Sequence, residues 1–353
     1  MTAGSAPARG DPSVSVLVTV HDGERFITKT VESVLTQSFE DLELVVVDDG
    51  SADATPEILA GYAADDRRVR IHRQPRAGVC AARNRGIEVC RAPLIAFLDG
   101  DDVATRDRLG AQLRFLAENG DVALVGGQYE LIDAQGRTFA KTQPPRGDAE
   151  IREALRSGNP FLHSAVTVRK RVVQETGGYR RQFVAAQDLD LWLRVAERTR
   201  LANLPRTVVS YRIHDTQTSV AKIEMQATMA VAARLSARRR EEGLGDPIDH
   251  TETIDEEKLI SQGVAREQID SEVVQAATWI AKTASRAGYE ETSRELLSIA
   301  RRRARASSRS GPLLATVWRA QAKRLREQGR PLRALRYGLA ARIAQPLPFR
   351  HTK

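Results

Sequence analysis

The chain has 353 residues, 41% apolar and 28% charged, which suits a water-soluble globular protein with one sizeable α/β domain and a smaller second one. No apolar run reaches the ~18 residues of a spanning helix, and two cysteines, Cys80 and Cys90, exclude a disulfide scaffold or zinc site and favour a reducing compartment. The net charge of +8 is unevenly placed: residues 301–353 hold 15 Lys/Arg against one acid, Glu327, a local +14, while the other 300 residues carry −6.

Residues 1–12 are rich in Gly, Pro, Ala and Ser and lack an apolar core, which predicts a disordered lead-in and not a signal peptide. Val14–Val18 is a short β-branched run with the composition of a buried strand, and His21-Asp22-Gly23-Glu24 follows as a turn. Phe26–Leu35 places Ile27, Val31, Val34 and Leu35 at helical spacing. Leu42–Val47 reads as a second strand, and Ser51–Pro56 opens a helix with Thr55 as N-cap and Pro56 in its first turn. A third strand at Val69–His72, a helix over Gly78–Val89 and a fourth strand at Leu94–Leu98 complete the alternation. Strand–helix alternation of this kind predicts a doubly wound parallel sheet over roughly the first 100 residues.

A helix is expected at Arg106–Asn119, a strand at Val122–Gly126, and an extended pair, Gln128–Arg137 and Thr138–Thr142, turning at Asp133-Ala134-Gln135-Gly136. Phe161–Val168 has the make-up of a strand and Leu189–Arg198 of a helix. Beyond Thr218 the pattern is wholly helical, with helices at 220–241, 256–287, 290–306, 313–328 and 332–345 and breaks at Asp246-Pro247 and Gly311-Pro312.

Two of the apolar strands end in acids. Leu94–Leu98 runs into Asp99-Gly100-Asp101-Asp102, and Leu42–Val47 into Asp48-Asp49-Gly50-Ser51. Three carboxylates on one short turn repel one another and need a counter-charge. A divalent cation held by oxygen ligands supplies it, and such cations commonly bridge to substrate phosphates. In a parallel α/β sheet the ligand crevice lies at the carboxyl ends of the strands, where both acidic segments fall. Acidic turns that merely keep loop tips hydrated explain one such segment well and the pair poorly.

Five segments in order carry a family resemblance: Val14-Ser15-Val16-Leu17-Val18-Thr19-Val20-His21-Asp22-Gly23-Glu24, Asp48-Asp49-Gly50-Ser51, Gly78-Val79-Cys80-Ala81-Ala82-Arg83-Asn84-Arg85-Gly86-Ile87, Asp99-Gly100-Asp101-Asp102 and Gln187-Asp188-Leu189-Asp190-Leu191-Trp192-Leu193-Arg194. Together they resemble the inverting family 2 glycosyltransferases of the GT-A fold. The family usually has proline and asparagine where Thr19 and Asp22 stand, and more often glutamate where Gln187 stands. The resemblance implies a GT-A type, mostly parallel α/β sheet in a catalytic domain over residues 13–220, then a helical region over 221–353 with the basic tail. It implies transfer of a sugar from a nucleoside-diphosphate-sugar donor to a hydroxyl of a glycan or lipid-linked glycan acceptor, with Mn²⁺ or Mg²⁺ as cofactor.

By the same resemblance Asp101 is the first metal ligand, Asp99 and Gly100 lie beside the ribose, and His214 stands near the diphosphate and metal. Asp102 is either a second ligand or a brace of the turn. The backbone of Thr19, Val20 and His21 lines the nucleotide pocket. Asp49 either accepts from the base or caps the following helix with Ser51, whereas Asp48 is a structural acid. Arg83 either meets the nucleotide and its phosphates, which suits a guanidinium fork, or salt-bridges one of the acids. Asn84 bonds locally, and His163 is either a structural or a site histidine. Glycosyl transfer itself demands stabilisation of the departing diphosphate and a carboxylate base on the opposite face of the sugar. Asp188 is the expected base, with a helix N-cap as the competing role, and Asp190 and Trp192 are expected to shape a sugar pocket.

In the basic tail, Leu314, Trp318, Ala322 and Leu325 form one apolar stripe and Leu332, Leu335, Leu339 and Ile343 another, with arginines on the other faces. Such helices either lie on an anionic membrane surface or pack inward as a subdomain with a solvated basic face. Few aromatics interleave with the arginines, so no nucleic acid is expected as a partner. The location expected is cytoplasmic, peripheral at the inner face of the membrane. The rival readings are a sugar-nucleotide pyrophosphorylase and a non-catalytic glycan-binding protein of the same fold.

Overall fold

The computed structural model describes residues 10–214, 222–249, 251–308 and 310–344 and divides the chain into two units, Met1–Arg212 and Ile213–Lys353. The expected lead-in lies largely outside the described residues.

In the first unit, β1 (Val14–Val20), β2 (Leu42–Asp48), β3 (Val69–Arg73) and β4 (Leu94–Asp99) run parallel in the order β3-β2-β1-β4, connected by α1 (Ile27–Leu35), α2 (Thr55–Asp65) and α3 (Val79–Val89). Every residue of β2 is buried, which explains why its sequence is a continuous apolar run instead of an alternation. The sheet continues through β8 (Thr167–Arg169), β6 (Val122–Ile132), β9 (Arg200–Arg212) and β5 (Val103–Ala104), with β7 (Thr138–Lys141) paired to β6. Nine strands are present among the described residues, most of them parallel.

The change of direction at β8 builds the site. β8 is antiparallel to β4, with Ala96 opposite Thr167, so the residues before Thr167 lie against the carboxyl end of β4. Phe97 N donates to Val166 O at 2.9 Å and Asp99 N to Ser164 Oγ at 3.1 Å. α4 (Arg108–Glu118) fastens this junction: Arg108, buried, donates from Nη2 to the carbonyls of Phe97 (2.8 Å) and Val166 (3.1 Å). Burial pushes the Arg108 pKa down to about 9, which still leaves it charged at neutral pH.

Several elements differ from the sequence expectation. Phe161–Val168 is not one strand: His163–Ala165 forms a 3-10 turn, because the Ser164 hydroxyl receives the Asp99 N–H that a longer ladder would satisfy. β9 has no counterpart in the expected elements; its apolar pattern is broken by Leu204-Pro205-Arg206, beside which the β6 ladder shifts register. α5 (Asp148–Leu155) and α6 (Lys170–Glu175) are likewise additional, and α7 (Gln187–Ala196) starts two residues early. Thr55 is no N-cap: Ala54 holds that position, and Thr55 Oγ1 accepts from Gly23 N at 2.9 Å.

The second unit is helical: α8 (Ile223–Glu241), α9 (Glu256–Ser261), α10 (Arg266–Arg286), α11 (Glu290–Ala306), α12 (Ser310–Glu327) and α13 (Pro331–Ile343). The helix expected over 256–287 is two, split at Gly263, whose φ of +89° favours glycine. Val274, Ala277, Ile280, Leu296, Ala300 and Val317 lie in its core. Among the described residues no helix is long and apolar enough to cross a membrane.

Candidate active site

The carboxyl edge of the parallel strands gathers most of the expected residues. Thr19 stands opposite Asp99 across β1 and β4, and Val20 opposite Asp48 across β1 and β2. His21 Nδ1 lies 3.0 Å from Asp49 O, which fixes the chain just beyond β1. Gly100 fits closely here, since a Cβ would approach Val20 Cγ2 to 3.1 Å.

The two acids after β2 have different tasks. Asp48 accepts from Ser51 N at 2.9 Å and faces Arg73 at 3.3 Å, a structural pairing. Asp49 accepts from Gln74 Nε2, Ala77 N and Gly78 N, each at 2.8 Å, and so anchors the loop that leads into α3. With three of about four lone-pair directions taken, one remains for a ligand. Neither acid caps the following helix, whose N-cap is Ala54; the bond to Ser51 N is made by Asp48 and not by Asp49.

Arg83 is buried on α3, and its Nη2 donates to Asp99 Oδ1 at 2.8 Å. Its Nε and Nη1 are buried without a hydrogen-bond partner among the described residues. His163 Nδ1 is 3.0 Å from the same Asp99 oxygen, and its Nε2 is 3.0 Å from Tyr179 Oη. Burial would raise the Asp99 pKa, but His163 and Arg83 outweigh it and hold the carboxyl well below the usual range. Burial and then Arg83 lower the His163 pKa against the pull of Asp99. Burial raises the Tyr179 pKa, which keeps the phenol protonated. His163 Nδ1 also lies 3.2 Å from Arg83 Nη2, so the ring joins Arg83, Asp99 and Tyr179 in one buried network. Asn84 holds this chain in place, with Nδ2 to Tyr179 O at 2.8 Å and Tyr179 N to Oδ1 at 2.9 Å.

On the acidic turn, Asp102 faces inward, fully buried, with Oδ1 accepting from Arg212 N at 2.9 Å. Burial, then Asp101 and Asp99, push its pKa well above the ordinary range. The bond from Arg212 N is of the kind expected of a brace of the turn. Asp101 is half-buried, and its backbone carbonyl accepts from Arg212 Nε at 2.8 Å. Among the described residues no three His, Cys, Asp or Glu side chains close around one point. An over-acidic turn with one hard carboxylate outermost fits Mg²⁺ or Mn²⁺, which draw their remaining ligands from phosphate and water.

Asp188 is the second residue of α7 and makes no cap bond; Ala186, at φ +50°, holds the cap position. Its carboxylate accepts from Asn159 Nδ2 at 2.8 Å, and its charge acts on Arg83, His163 and Tyr179. The N-cap role is therefore set aside. The expectation that Asp190 and Trp192 shape a sugar pocket is also corrected: Asp190 is fully buried between Arg180 and Arg194, and Trp192 is buried against His163 and Phe97. His214, two residues beyond the Arg212 that bonds the acidic turn, is buried. Tyr179, Arg212 and Asn159 escape the sequence reading because each acts through a contact made only by the tertiary fold.

A parallel sheet with acids at its carboxyl edge and a buried guanidinium between them defines a class of α/β protein with its candidate crevice at the carboxyl ends of its strands. Comparison with known proteins narrows that class. Residues 15–177 match the sequence model of glycosyl transferase family 2. A Bacillus subtilis protein named as glycosyltransferase EpsE is 32% identical over 190 residues, 53% of this chain and 67% of its own. The O-antigen biosynthesis glycosyltransferase WbnJ of Escherichia coli is 27% identical over 231 residues, 64% of this chain and 90% of its own. The fold is similar to that of S. aureus TarS 1–349 crystallised with UDP-GlcNAc, at TM-score 0.53 and 14% identity over 97% of this chain and 95% of that one. The chain belongs to glycosyl transferase family 2, and it is a glycosyltransferase. Membership displaces the pyrophosphorylase and non-catalytic readings. Asp188 and His214 lie beyond the matched residues.

Proposed function

We propose that this glycosyltransferase moves a sugar from a nucleoside-diphosphate donor to a hydroxyl of a glycan or lipid-linked glycan, with inversion and with Mn²⁺ or Mg²⁺. The observation that carries this reading is the buried Arg83 guanidinium, fixed on Asp99 with Nε and Nη1 unpartnered, two residues from the half-buried Asp101. Guanidinium donors and a cation-binding carboxylate are what a diphosphate leaving group requires. In support, TarS was crystallised with UDP and with UDP-GlcNAc, and WbnJ is named for O-antigen biosynthesis.

Asp101 would hold the metal, which when bound neutralises charge on the departing diphosphate. Arg83 donates to the phosphates through its free N–H groups, and its bond to Asp99 keeps it oriented. His163, backed by Tyr179, and Arg83 hold Asp99 ionised and in place. The edge formed by Thr19, Val20, His21 and Asp49 receives the nucleotide, and the remaining Asp49 lone pair serves the base. Asp188 takes the proton of the attacking hydroxyl, and attack opposite the leaving group inverts the anomeric centre. The basic segment 301–353 meets an anionic membrane, which places the protein peripherally at the inner, cytoplasmic face.

The test is a panel of nucleoside-diphosphate sugars scored for nucleotide release with added Mn²⁺, added Mg²⁺ or chelator. One donor should be turned over with metal and none in chelator, and NMR of the product should show the inverted anomer. Turnover unaffected by chelator would remove the metal from the mechanism.

A further inference from the structure

The two apolar stripes of the basic tail have opposite fates. In α12, Ala322 and Leu325 are buried, Leu314 packs against the core, and the helix contributes Val317 and Ala320 to it. In α13 the inward positions are alanines, Ala334 and Ala341, whereas Leu332, Leu335 and Leu339 are 85%, 61% and 52% exposed. These leucines recur at i, i+3 and i+7 and so share one helix face. The helix carries Arg333, Arg336 and Arg342 and no acid. Arg333 and Arg336 are exposed between the leucines.

A solvated basic helix has no use for three outward leucines, and a packed one would turn them inward. An exposed leucine face flanked by exposed arginines matches a surface that is apolar beneath and anionic on top, and a lipid interface has that layering. A second feature of this unit points the same way. Trp279 on α10 is 46% exposed. Lys282 and Arg286 on α10 stand near Arg319 and Lys323 on α12, with Glu327 paired to Arg286 at 3.2 Å, and burial, Lys323, Arg319 and Arg286 lower the Lys282 pKa against the pull of Glu327. Exposed tryptophan beside clustered cations is an interfacial pairing.

We propose that α13 docks on an anionic bilayer by inserting Leu332, Leu335 and Leu339 among the acyl chains while Arg333 and Arg336 bind lipid phosphates. This rests on the membrane reading above and deepens it: the contact is one helix face that inserts, not a diffuse attraction of the tail.

The full-length protein is sedimented with vesicles of phosphatidylcholine alone and of phosphatidylcholine with phosphatidylglycerol, at low and high salt. Binding should need phosphatidylglycerol and should persist in part at high salt, because inserted leucines are not screened. The triple variant Leu332→Ser, Leu335→Ser, Leu339→Ser should lose roughly tenfold or more of the salt-resistant binding. Its residues are exposed, so folding should survive, as circular dichroism and nucleotide release would confirm. Arg333→Glu with Arg336→Glu should abolish the phosphatidylglycerol dependence. Wild-type protein that binds neither vesicle overturns both the membrane reading and this inference. Wild-type binding that the leucine variant retains in full overturns the insertion alone. A dimer in solution that the leucine variant dissolves, without vesicle binding, would assign the face to a second copy and overturn the proposal.

Discussion

The carboxylate of Asp188 accepts one hydrogen bond from Asn159 and takes no part in capping α7, so an asparagine there separates chemistry from structure. Asp188→Asn should leave donor affinity within a few-fold by calorimetry, while transfer falls by roughly 10²-fold or more, the scale of losing a general base. Near-normal turnover would move the base elsewhere, and Asp190 could not inherit the role, being sealed between two arginines. Asp101→Ala should abolish transfer, weaken donor binding and remove metal stimulation; full activity in chelator would refute the assignment. Asp102→Asn keeps an oxygen for Arg212 N and removes one of three crowded charges. If Asp102 is only a brace, the variant's apparent metal affinity stays within a few-fold of wild type, and a loss of about tenfold or more would make it a ligand. Asp49, Asp99, Asp101 and Asp102 were legible in the sequence because each follows an apolar strand, whereas Asp188, at a helix start, was read through the family resemblance. His163 was a candidate whose role the sequence left open and Tyr179 was not read at all, since the chain of contacts from Tyr179 through His163 to Asp99 depends on β8 reversing direction.

Among the elements, β2 carries the clearest electrostatic consequence. Glu43 is buried near its start and accepts from Ser15 Oγ (2.6 Å), Arg91 N (2.6 Å), Arg91 Nε (2.9 Å) and Arg70 Nη1 (2.8 Å), tying β1, β3 and the start of β4 together. Burial would raise its pKa, but those hydrogen bonds prevail and lower it to about 2. A folded pKa below the unfolded value of about 4.3 means stability that is present above that value and lost as pH falls toward about 2. Glu43→Gln should therefore cost on the order of 2 kcal/mol at neutral pH, allowing for solvent screening, and the gap should close in acid. Urea unfolding of both proteins at neutral and acid pH measures it, and a gap that does not change with pH would show that packing, not charge, is lost. The parallel half was readable because buried strands are continuous apolar runs between helices. β9 was hidden by a proline and an arginine in mid-strand, and the turn at His163 by side-chain bonds that no periodicity reveals.

For the molecule as a whole, composition disclosed the helical second unit but not which apolar stripe faces inward, because both read alike until α12 has partners. A chain ending at Ser308 loses α12, with Val317 and Ala320, from the core around Ala277, Ile280, Leu296 and Ala300. It should lose the ordered second unit, seen as protease-labile sites within 223–306. A chain ending at Arg330 loses only α13 and should stay resistant; equal resistance of the two would mean that α12 is no part of the fold.

The reversal at β8 also sets an order of events during synthesis. β1 to β4 can pair as soon as they leave the ribosome, but β4 then presents Ile95, Ala96, Phe97 and Leu98 along an open edge. The strand that closes that edge lies far down the chain: Ser164, which bonds Asp99, comes 65 residues later. Until then the nascent protein has four of its nine strands joined, an unfinished site and an adhesive margin, the interval in which a chaperone would matter most.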